Sequence, residues 1–249
     1  MSDRPAHPEA YLDWRETAVG EHVTGLETAA LEDAVSRVFG HYLIQVGDAF
    51  PTGYMGSAYV RRRFVFGQDF NGGGYPGGKS EVGRLPIATK SVDALVLPHV
   101  LEFTSDPYQV LREVDRVLVD DGQLFIVSFN RLGWWGLKQS LVGRRRVPFI
   151  GDPFRVDRVV DWMGVLGFEL ESVTPMMFMP KGMRRLPLLH QLAARGLPFF
   201  AGVCLIAGRK RVAPLTPVRG ESRAARQLVP VGLGKPAART EVEKRSEPS

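Results

Sequence analysis

Histidine and cysteine supply many of the metal ligands, bases and nucleophiles in proteins, and both are sparse in this sequence. The histidines are scattered without the spacing of a ligand set, so we expect no metal site; they are His7, His22, His41, His99 and His190. The single cysteine, Cys204, lies in an apolar stretch and is expected in the core. One cysteine also excludes an intramolecular disulfide, which favours a reducing, cytoplasmic location.

A glycine-rich run at 72–78 would cradle a phosphate only if it joined a strand to a helix and carried a lysine and a hydroxyl in the right order. It does not, so we interpret it as a flexible loop. Trp134 and Trp135, followed by an arginine triplet at 144–146, leave three interpretations open. Such a segment can lie at a membrane interface, cover a bound acceptor, or pack its tryptophans on a sheet.

The composition is that of a globular protein of one or two domains. Of 249 residues, 44% are apolar and 24% charged, which excludes fibrous and wholly disordered classes. The apolar stretch at 186–208 is interrupted by Arg195, prolines and glycines, so we expect no transmembrane segment. Residues 1–11 lack the apolar run of a secretory signal.

The net charge of +5 comes from the C-terminal end of the chain. Residues 209–249 carry ten basic and four acidic side chains, so the preceding residues are close to neutral. From about 213 onward the sequence mixes Pro, Gly, Ser, Arg and Glu without periodicity, which predicts a disordered basic tail. Contact with nucleic acid or with a membrane surface is the hypothesis for that tail.

The spacing of apolar residues predicts helices that alternate with apolar strands. Thr24 and Glu27 fit a capping box, and a helix is expected from about 25 to 39. Asp106 is the expected cap of a second helix that starts at Pro107, and a third is expected over 154–166. The expected strands are 41–47, 63–69, 92–97, 124–129, 168–174 and 199–207.

Apolar strands separated by helices are typical of a parallel sheet that is buried on both faces. We therefore predict an α/β fold with a doubly wound, mostly parallel sheet and helices on both faces. In such folds the ligand binds at the carboxyl ends of the central strands. The expected organisation is an N-terminal extension at 1–19, one domain at 20–212 and the tail at 213–249.

The segment 84–130 resembles the core of class I S-adenosylmethionine-dependent methyltransferases, in particular the type 11 group. The resemblance rests on Arg84-Leu85-Pro86-Ile87-Ala88, Ser91-Val92-Asp93, His99-Val100-Leu101-Glu102, Asp106-Pro107, Leu111-Arg112-Glu113-Val114-Asp115-Arg116-Val117-Leu118 and Asp121-Gly122-Gln123-Leu124. Through Arg211 the chain is also similar to the YafS-like group of uncharacterised proteobacterial proteins. The resemblance implies a Rossmann-like, seven-stranded sheet, S-adenosylmethionine as cofactor and a small-molecule methyl acceptor.

The resemblance also implies where the cofactor binds. The family's first motif is a glycine-lined turn after the first strand, and here Gly47 matches its first glycine while Gln45 stands in place of an acid. Ala49 and Pro51 replace two further glycines, and Phe50 adds bulk where the ligand would pass. A phenylalanine in that turn is expected to obstruct the cleft.

Four more residues are assigned to the cofactor cleft by the same resemblance. Asp69, at the end of the second strand, is the carboxylate expected to bind the ribose hydroxyls. Glu81, with its neighbour Val82, is expected beside the adenine, and Pro98 is expected in the pocket wall. For Asp69 the alternative is a plain loop residue, and for Glu81 an exposed carboxylate.

His99 is the catalytic candidate, because it follows the fourth strand at the edge of the expected cleft. An ordinary histidine has a pKa near neutrality, so His99 is expected to orient the acceptor or remove its proton. The alternative is a histidine that the backbone satisfies at the start of a helix. The sequence therefore predicts an S-adenosylmethionine-dependent methyltransferase, with a catalytically degenerate binding or regulatory module as the alternative.

Overall fold

The computed structural model describes residues 8–47, 49–70, 73–142, 151–176 and 201–211. The chain divides into two units, Met1–Val212 and Ala213–Ser249, and the described residues all lie in the first. The expected disordered tail at 213–249 lies outside the described residues and stays a prediction. The same holds for the arginine triplet at 144–146.

A seven-stranded sheet forms the centre of the first unit. The strands are β1 Phe39–Val46, β2 Tyr59–Gly67, β3 Gly77–Lys79, β4 Val92–Pro98, β5 Leu118–Phe129, β6 Phe168–Met176 and β7 Val203–Lys210. Their order in the sheet is β3-β2-β1-β4-β5-β7-β6. Strands β1 to β5 pair in parallel, while β7 runs antiparallel to both β5 and β6. The predicted doubly wound, mostly parallel sheet is confirmed.

Helices cover both faces of this sheet. The α-helices are α1 Pro8–Arg15, α2 Ala18–Val35, α3 Pro107–Val117, α4 Trp134–Val142 and α5 Val156–Val165. Successive residues of a strand point to opposite faces, so the strands contribute side chains to two cores. Leu43 and Val65 face a core built with α1 and α2, whereas Ile44, Leu95 and Ile126 face a second core built with α3 and α5. Of these described helices, none has the length and apolar content needed to cross a membrane.

The first long helix begins seven residues earlier than its sequence predicts. Thr17, rather than Thr24, caps α2: its hydroxyl accepts a bond from the Gly20 N–H at 3.1 Å and donates to the Trp14 carbonyl at 2.6 Å. Thr24 and Glu27 lie inside the helix, so the capping box at that point is wrong. The helix ends at Val35, and β1 begins at Phe39.

The described residues between β1 and β4 contain no α-helix. A short 3-10 helix, Gly53–Ser57, follows β1 instead, and β2, β3 and β4 are joined by turns. Arg63 fixes the 3-10 helix to the sheet, because its guanidinium donates to the carbonyls of Met55 and Ala58 at 2.6 Å each. The carboxyl ends of β1, β2 and β4 are therefore surrounded by loops.

Described residues of α1 belong to the core. Tyr11 and Trp14 of α1 are 1% and 8% exposed, and both rings pack against Phe129. The described part of the expected extension at 1–19 is therefore integral to the domain. Cys204 lies in β7 as expected, buried between neighbouring strands, and burial raises the pKa of its thiol to about 12.

Candidate functional site

A cleft opens at the carboxyl ends of β1, β2 and β4, where the strand order changes direction between β1 and β4. Ligands of doubly wound sheets bind at this kind of switch point. The cleft has a volume of ≈ 200 Å³ and is lined by Leu12, Gly47, Ala49, Gln68, Asp69, Val82, Pro98, His99, Val100, Phe103 and Thr104. It thus brings together five of the residues assigned from the sequence: Gly47, Asp69, Val82, Pro98 and His99.

Gly47 turns the chain out of β1 in a conformation that side chains avoid. Its φ is +100°, and a Cβ at this position would lie 2.7 Å from the Cγ2 of Val100. The Gly47 N–H donates to the Phe66 carbonyl at 2.7 Å, which ties the turn to the end of β2. Only glycine fits this turn, and its bare backbone forms one wall of the cleft.

Asp69 lies just beyond β2, in line with its prediction. It is exposed and lines the cleft together with Gln68. Val82 and Pro98 contribute apolar surface, Val82 from the loop before β4 and Pro98 from the last residue of β4. The cleft therefore combines one carboxylate, one glycine turn and an apolar wall.

Gln45 does not line the cleft. Its side chain is fully buried beneath the turn, where the amide nitrogen donates to the Gly47 and Phe50 carbonyls at 2.7 and 3.1 Å. Its amide oxygen accepts a bond from the Tyr54 hydroxyl at 2.8 Å. Gln45 therefore supports the loop from below instead of binding a ligand, because its donors and acceptor are used within the protein.

Glu81 also lies outside the cleft lining. It is exposed and forms an isolated bridge with Arg84, while the next residue, Val82, points into the cleft. The alternative reading of Glu81, an exposed carboxylate, matches this position. At this position the side chain that reaches the cleft is therefore apolar.

Phe50 does not obstruct the cleft, and this expectation was wrong. Its ring is 2% exposed and packs with Tyr54 and His99 at centroid distances of 6.2 Å. The residue before it, Ala49, lines the cleft instead. Phe50 turns inward and belongs to the core that α1 and α2 build on this face of the sheet.

His99 lies at the centre of a buried polar cluster. Its Nε2 is 3.0 Å from Glu27 Oε1 of α2, and its Nδ1 is 3.2 Å from Glu102 Oε1. Glu102 Oε1 also accepts the Phe129 N–H at 2.7 Å. The second oxygen of each carboxylate is buried and has no hydrogen-bond partner among the described residues. The cluster joins α2 to the ends of β4 and β5.

The cluster holds His99 as a cation. Burial alone would lower its pKa, but the charge of Glu27 and the hydrogen bonds to both carboxylates outweigh burial and raise the pKa to about 9. Both ring nitrogens are occupied, and the backbone is left-handed at φ +53°. His99 is therefore not poised to remove a proton at neutral pH, which corrects the expectation of a near-neutral base.

Glu27 and Tyr11 are members of this cluster that the sequence reasoning missed. The Tyr11 ring lies 5.1 Å from the His99 ring, and its buried hydroxyl has no hydrogen-bond partner among the described residues. Glu27 could have been found, because Val23, Glu27 and Leu31 repeat every four residues on the buried stripe of α2. A carboxylate on such a stripe needs a buried partner.

Of the tryptophan pair, the structure describes the side chain of Trp135. Trp135 is 7% exposed and its ring meets that of Trp14 at 6.2 Å and 80°, which agrees with packing on the sheet. The side chain of Trp134 lies outside the described residues. Among the described residues, no group of histidine, cysteine and acidic side chains is arranged to hold a metal ion.

Comparison with known proteins relates this chain to methyltransferases. Residues 77–126 match the model of a methyltransferase domain. The uncharacterised protein YafS of Escherichia coli K12 is 38% identical over 134 residues, which cover 53% of this chain and 54% of YafS. The chain thus spans about half the length of that curated relative.

Two solved structures illustrate the fold. An S-adenosylmethionine-dependent methyltransferase from Thermotoga maritima superposes with a TM-score of 0.57 at 17% identity, covering 82% of this chain and 100% of that one. The [4+2]-cyclase SpnF superposes with a TM-score of 0.54 at 16% identity, and the match covers 75% of this chain and 80% of the SpnF chain. At these identities the likeness concerns the fold alone. The resemblance drawn from the sequence is confirmed: residues 77–126 match the methyltransferase domain model, and the chain is similar to YafS and shares the fold of S-adenosylmethionine-dependent methyltransferases.

Proposed function

We propose that the cleft binds S-adenosylmethionine and that the protein transfers its methyl group to a small-molecule acceptor. The observation that carries this proposal is the meeting of Gly47 and Asp69, from the ends of neighbouring strands, in one cleft. A backbone turn without a side chain beside a carboxylate is the arrangement that nucleoside cofactors use in related sheets.

The residues present fit such a cofactor. The Asp69 carboxylate would accept hydrogen bonds from the two ribose hydroxyls, and Val82 and Pro98 would flank the flat base. The Gly47 turn would let backbone approach the amino-acid part. Gln45 would act indirectly, since its three hydrogen bonds fix the loop that carries Gly47 and Ala49.

When bound, the cofactor would supply a sulfonium methyl group that an acceptor takes by in-line displacement, with the neutral thioether as the leaving group. The chain's contribution to such a reaction is positioning. Asp69 and His99 are the titratable side chains among the described residues that line the cleft, and His99 keeps its proton through Glu27 and Glu102. An acceptor that is already nucleophilic at neutral pH fits this cleft better than a weakly acidic alcohol.

Calorimetric titration of the full chain with S-adenosylhomocysteine tests the proposal. We expect micromolar binding, and we expect Asp69→Asn to weaken it by about 1.5 to 3 kcal/mol, the usual worth of hydrogen bonds to a charged group. Asp161→Asn is the matched control, because Asp161 is an exposed residue of α5 outside the cleft. Unchanged affinity in folded Asp69→Asn would contradict the assignment of the ribose site.

The second candidate is a module that kept the fold and lost the transfer reaction. It is favoured by the loop after β1, where no α-helix among the described residues presents its N-terminus to the cleft. SpnF illustrates that a protein of this fold can be a cyclase. Absence of S-adenosylhomocysteine binding up to millimolar concentration would select the module. A cytoplasmic location and contacts through the basic tail stay predictions under either function.

A further inference from the structure

A second groove continues from the cleft on the side of β4 and β5. Thr104 lines both, and the groove has a volume of ≈ 880 Å³. Its walls are the loop that leads into α3, Arg131 beyond the end of β5, Gln139 and Ser140 of α4, and the segment from Asp152 into α5. A ligand in this groove would lie beside any molecule in the cleft.

The floor of the groove is firmly built. Phe154 bridges to Asn130, and the Arg131 N–H donates to the Phe154 carbonyl at 3.1 Å. The Asp152 N–H donates to the Glu102 carbonyl at 2.9 Å. The preceding residue, Gly151, has a φ of +55°, and a Cβ there would lie 2.5 Å from the same carbonyl oxygen. The same Glu102 binds His99, so the groove and the cleft share one support.

The groove lining contains several charged side chains and aromatic rings. It carries Arg131, Arg155 and Arg158 against two carboxylates, Asp106 and Asp152. Asp106 is already bonded to the Gln109 N–H at 2.9 Å, where it caps α3.

The three arginines are not equivalent. Arg155 is neutralised by a two-bond pair with Asp157, at 3.0 and 2.6 Å. Within the described part of the chain, Arg131 and Arg158 are exposed and form no ion pair. Two arginines in the groove therefore keep guanidinium donors for a ligand.

An aromatic wall stands beside these donors. The Arg158 guanidinium lies 5.0 Å from the centre of the Trp162 ring, and Trp162 meets Phe154 edge to face at 5.2 Å. Both rings are half-buried and line the groove. A guanidinium held over a ring is preorganised, so less of its freedom is lost when it binds an anion.

We propose that this groove is an oxyanion site, which binds the phosphate or carboxylate group of a small acceptor whose reactive end enters the cleft at Thr104. Arg131 and Arg158 bind the oxyanion, and Phe154 and Trp162 contact the apolar part next to it. Arginine suits this role because its planar fork matches both anions. The link to an acceptor rests on the proposed methyl transfer, whereas the anion site itself does not.

Phenyl phosphate is the probe, and benzyl alcohol is its neutral counterpart, both titrated into the full chain by calorimetry. We expect saturable binding of phenyl phosphate and weaker binding of benzyl alcohol. The double variant Arg131→Ala/Arg158→Ala should lose roughly tenfold or more in affinity for phenyl phosphate, and little for benzyl alcohol. Arg112→Ala is the matched control, an exposed arginine of α3 outside the groove. Benzoate in place of phenyl phosphate separates carboxylate from phosphate recognition.

Equal affinity for the two probes, or unchanged phenyl phosphate binding in the double variant, would overturn the oxyanion site. The same samples are titrated with S-adenosylhomocysteine, which should bind the double variant as it binds the natural chain, because neither arginine lines the cleft. Anion binding without any S-adenosylhomocysteine binding would retain the oxyanion site and reject the acceptor role together with the proposed function. S-adenosylhomocysteine binding without anion binding would reject the groove alone.

Discussion

His99 shows how one residue can be fixed by parts of the chain that are far apart in sequence. Its ring bridges Glu27 on α2 and Glu102 just after β4, while its backbone N–H donates to the Val127 carbonyl of β5 at 2.8 Å. A left-handed backbone at a histidine costs free energy, and such strain persists only where the surroundings determine it. The contacts with the two carboxylates hold His99 in this conformation, so the imidazolium stabilises the fold beside the cleft.

This arrangement predicts that the free energy of unfolding falls as the pH rises. The pKa of His99 is about 9 in the folded chain and near 6.5 in the unfolded chain, so the folded state binds this proton more tightly. The stabilisation is complete below about pH 6.5 and is lost as the pH rises through about 9, with a total of about 3 kcal/mol. Urea unfolding at several pH values between 6 and 9.5 measures it.

Glu27→Gln is the variant that tests the cause. It keeps the size of the side chain but removes one negative charge, so the loss of stability between pH 6.5 and 9 should become smaller. Glu32→Gln is the matched control, because Glu32 is an exposed residue of the same helix and the change removes the same charge outside the cluster. An identical pH dependence in the natural chain and Glu27→Gln would show that Glu27 does not hold His99 as a cation.

Gln45 gives a second prediction at the residue scale, because Gln45→Glu would restore the acid that the family motif places there. In this fold the new carboxylate would face the Gly47 and Phe50 carbonyls, which now accept bonds from the amide nitrogen. We expect the variant to lose about 2 to 4 kcal/mol of unfolding free energy, from two buried acceptors left without donors. Denaturant unfolding measures this loss.

Gln68→Glu is the matched control for Gln45→Glu, because Gln68 is exposed and the same change should leave stability nearly constant. Gln45→Glu should also fail to strengthen S-adenosylhomocysteine binding. A Gln45→Glu chain as stable as the natural one, with tighter binding, would mean that residue 45 faces the ligand after all.

At the scale of elements, α1 links the N-terminus to the cleft. Tyr11 packs between His99, Phe103 and Phe129, and Arg15 donates to the carbonyl of Ala49 in the cleft wall. We predict that Tyr11→Ala lowers the unfolding free energy by about 3 to 5 kcal/mol, as for other large aromatic residues in a core. Thermal and urea unfolding measure it.

Two neighbouring variants make this test specific. Tyr11→Phe should be at least as stable as the natural chain, because the buried hydroxyl has no hydrogen-bond partner among the described residues and burying it costs free energy. Leu12→Ala should change stability little, since Leu12 is 41% exposed on the same helix. A Tyr11→Ala chain with unchanged stability would restore the reading of residues 1–19 as a separate extension.

Sequence patterns predicted the elements that carry long apolar runs or clear caps. Asp106 and Pro107 mark the start of α3 in the structure as they do in the sequence, and β4 lies within one residue of its expected bounds. The eight-residue α1 and the three-residue β3 are too short for periodicity, and β3 is Gly-Gly-Lys. These elements form through tertiary contacts, with β3 pairing to β2.

The same division applies to the candidate site. The positions of Gly47, Asp69 and Pro98 follow from strand ends, which a sequence indicates well. The pairing of Glu27 with His99 joins residues 72 positions apart, and no local pattern records that contact. The inward orientation of Phe50 depends on its packing with Tyr54 and His99, which is a tertiary contact, so it too needed the structure.

At the scale of the whole molecule, charge is distributed unevenly between the two units. Residues 213–249 carry seven basic and four acidic side chains, so a chain ending at Val212 would have a net charge of +2 in place of +5. All the described residues of the cleft and of the groove lie before that point. We therefore expect removal of residues 213–249 to leave folding and ligand binding unchanged and to weaken electrostatic contact with polyanions.

A chain that ends at Val212 tests this separation. We predict that it unfolds at the same temperature as the full chain and binds S-adenosylhomocysteine equally well, because the tail shows no pattern that would bury apolar surface. Its affinity for single-stranded nucleic acid or for anionic lipid vesicles at low salt should fall, because the counterions released on binding scale with the number of cationic contacts. In the full chain that affinity should drop steeply with added salt.

Limited proteolysis that cuts within 84–210 before it cuts the tail would contradict the domain boundary. Unchanged polyanion binding by the shortened chain would show that the domain, and not the tail, makes the contact.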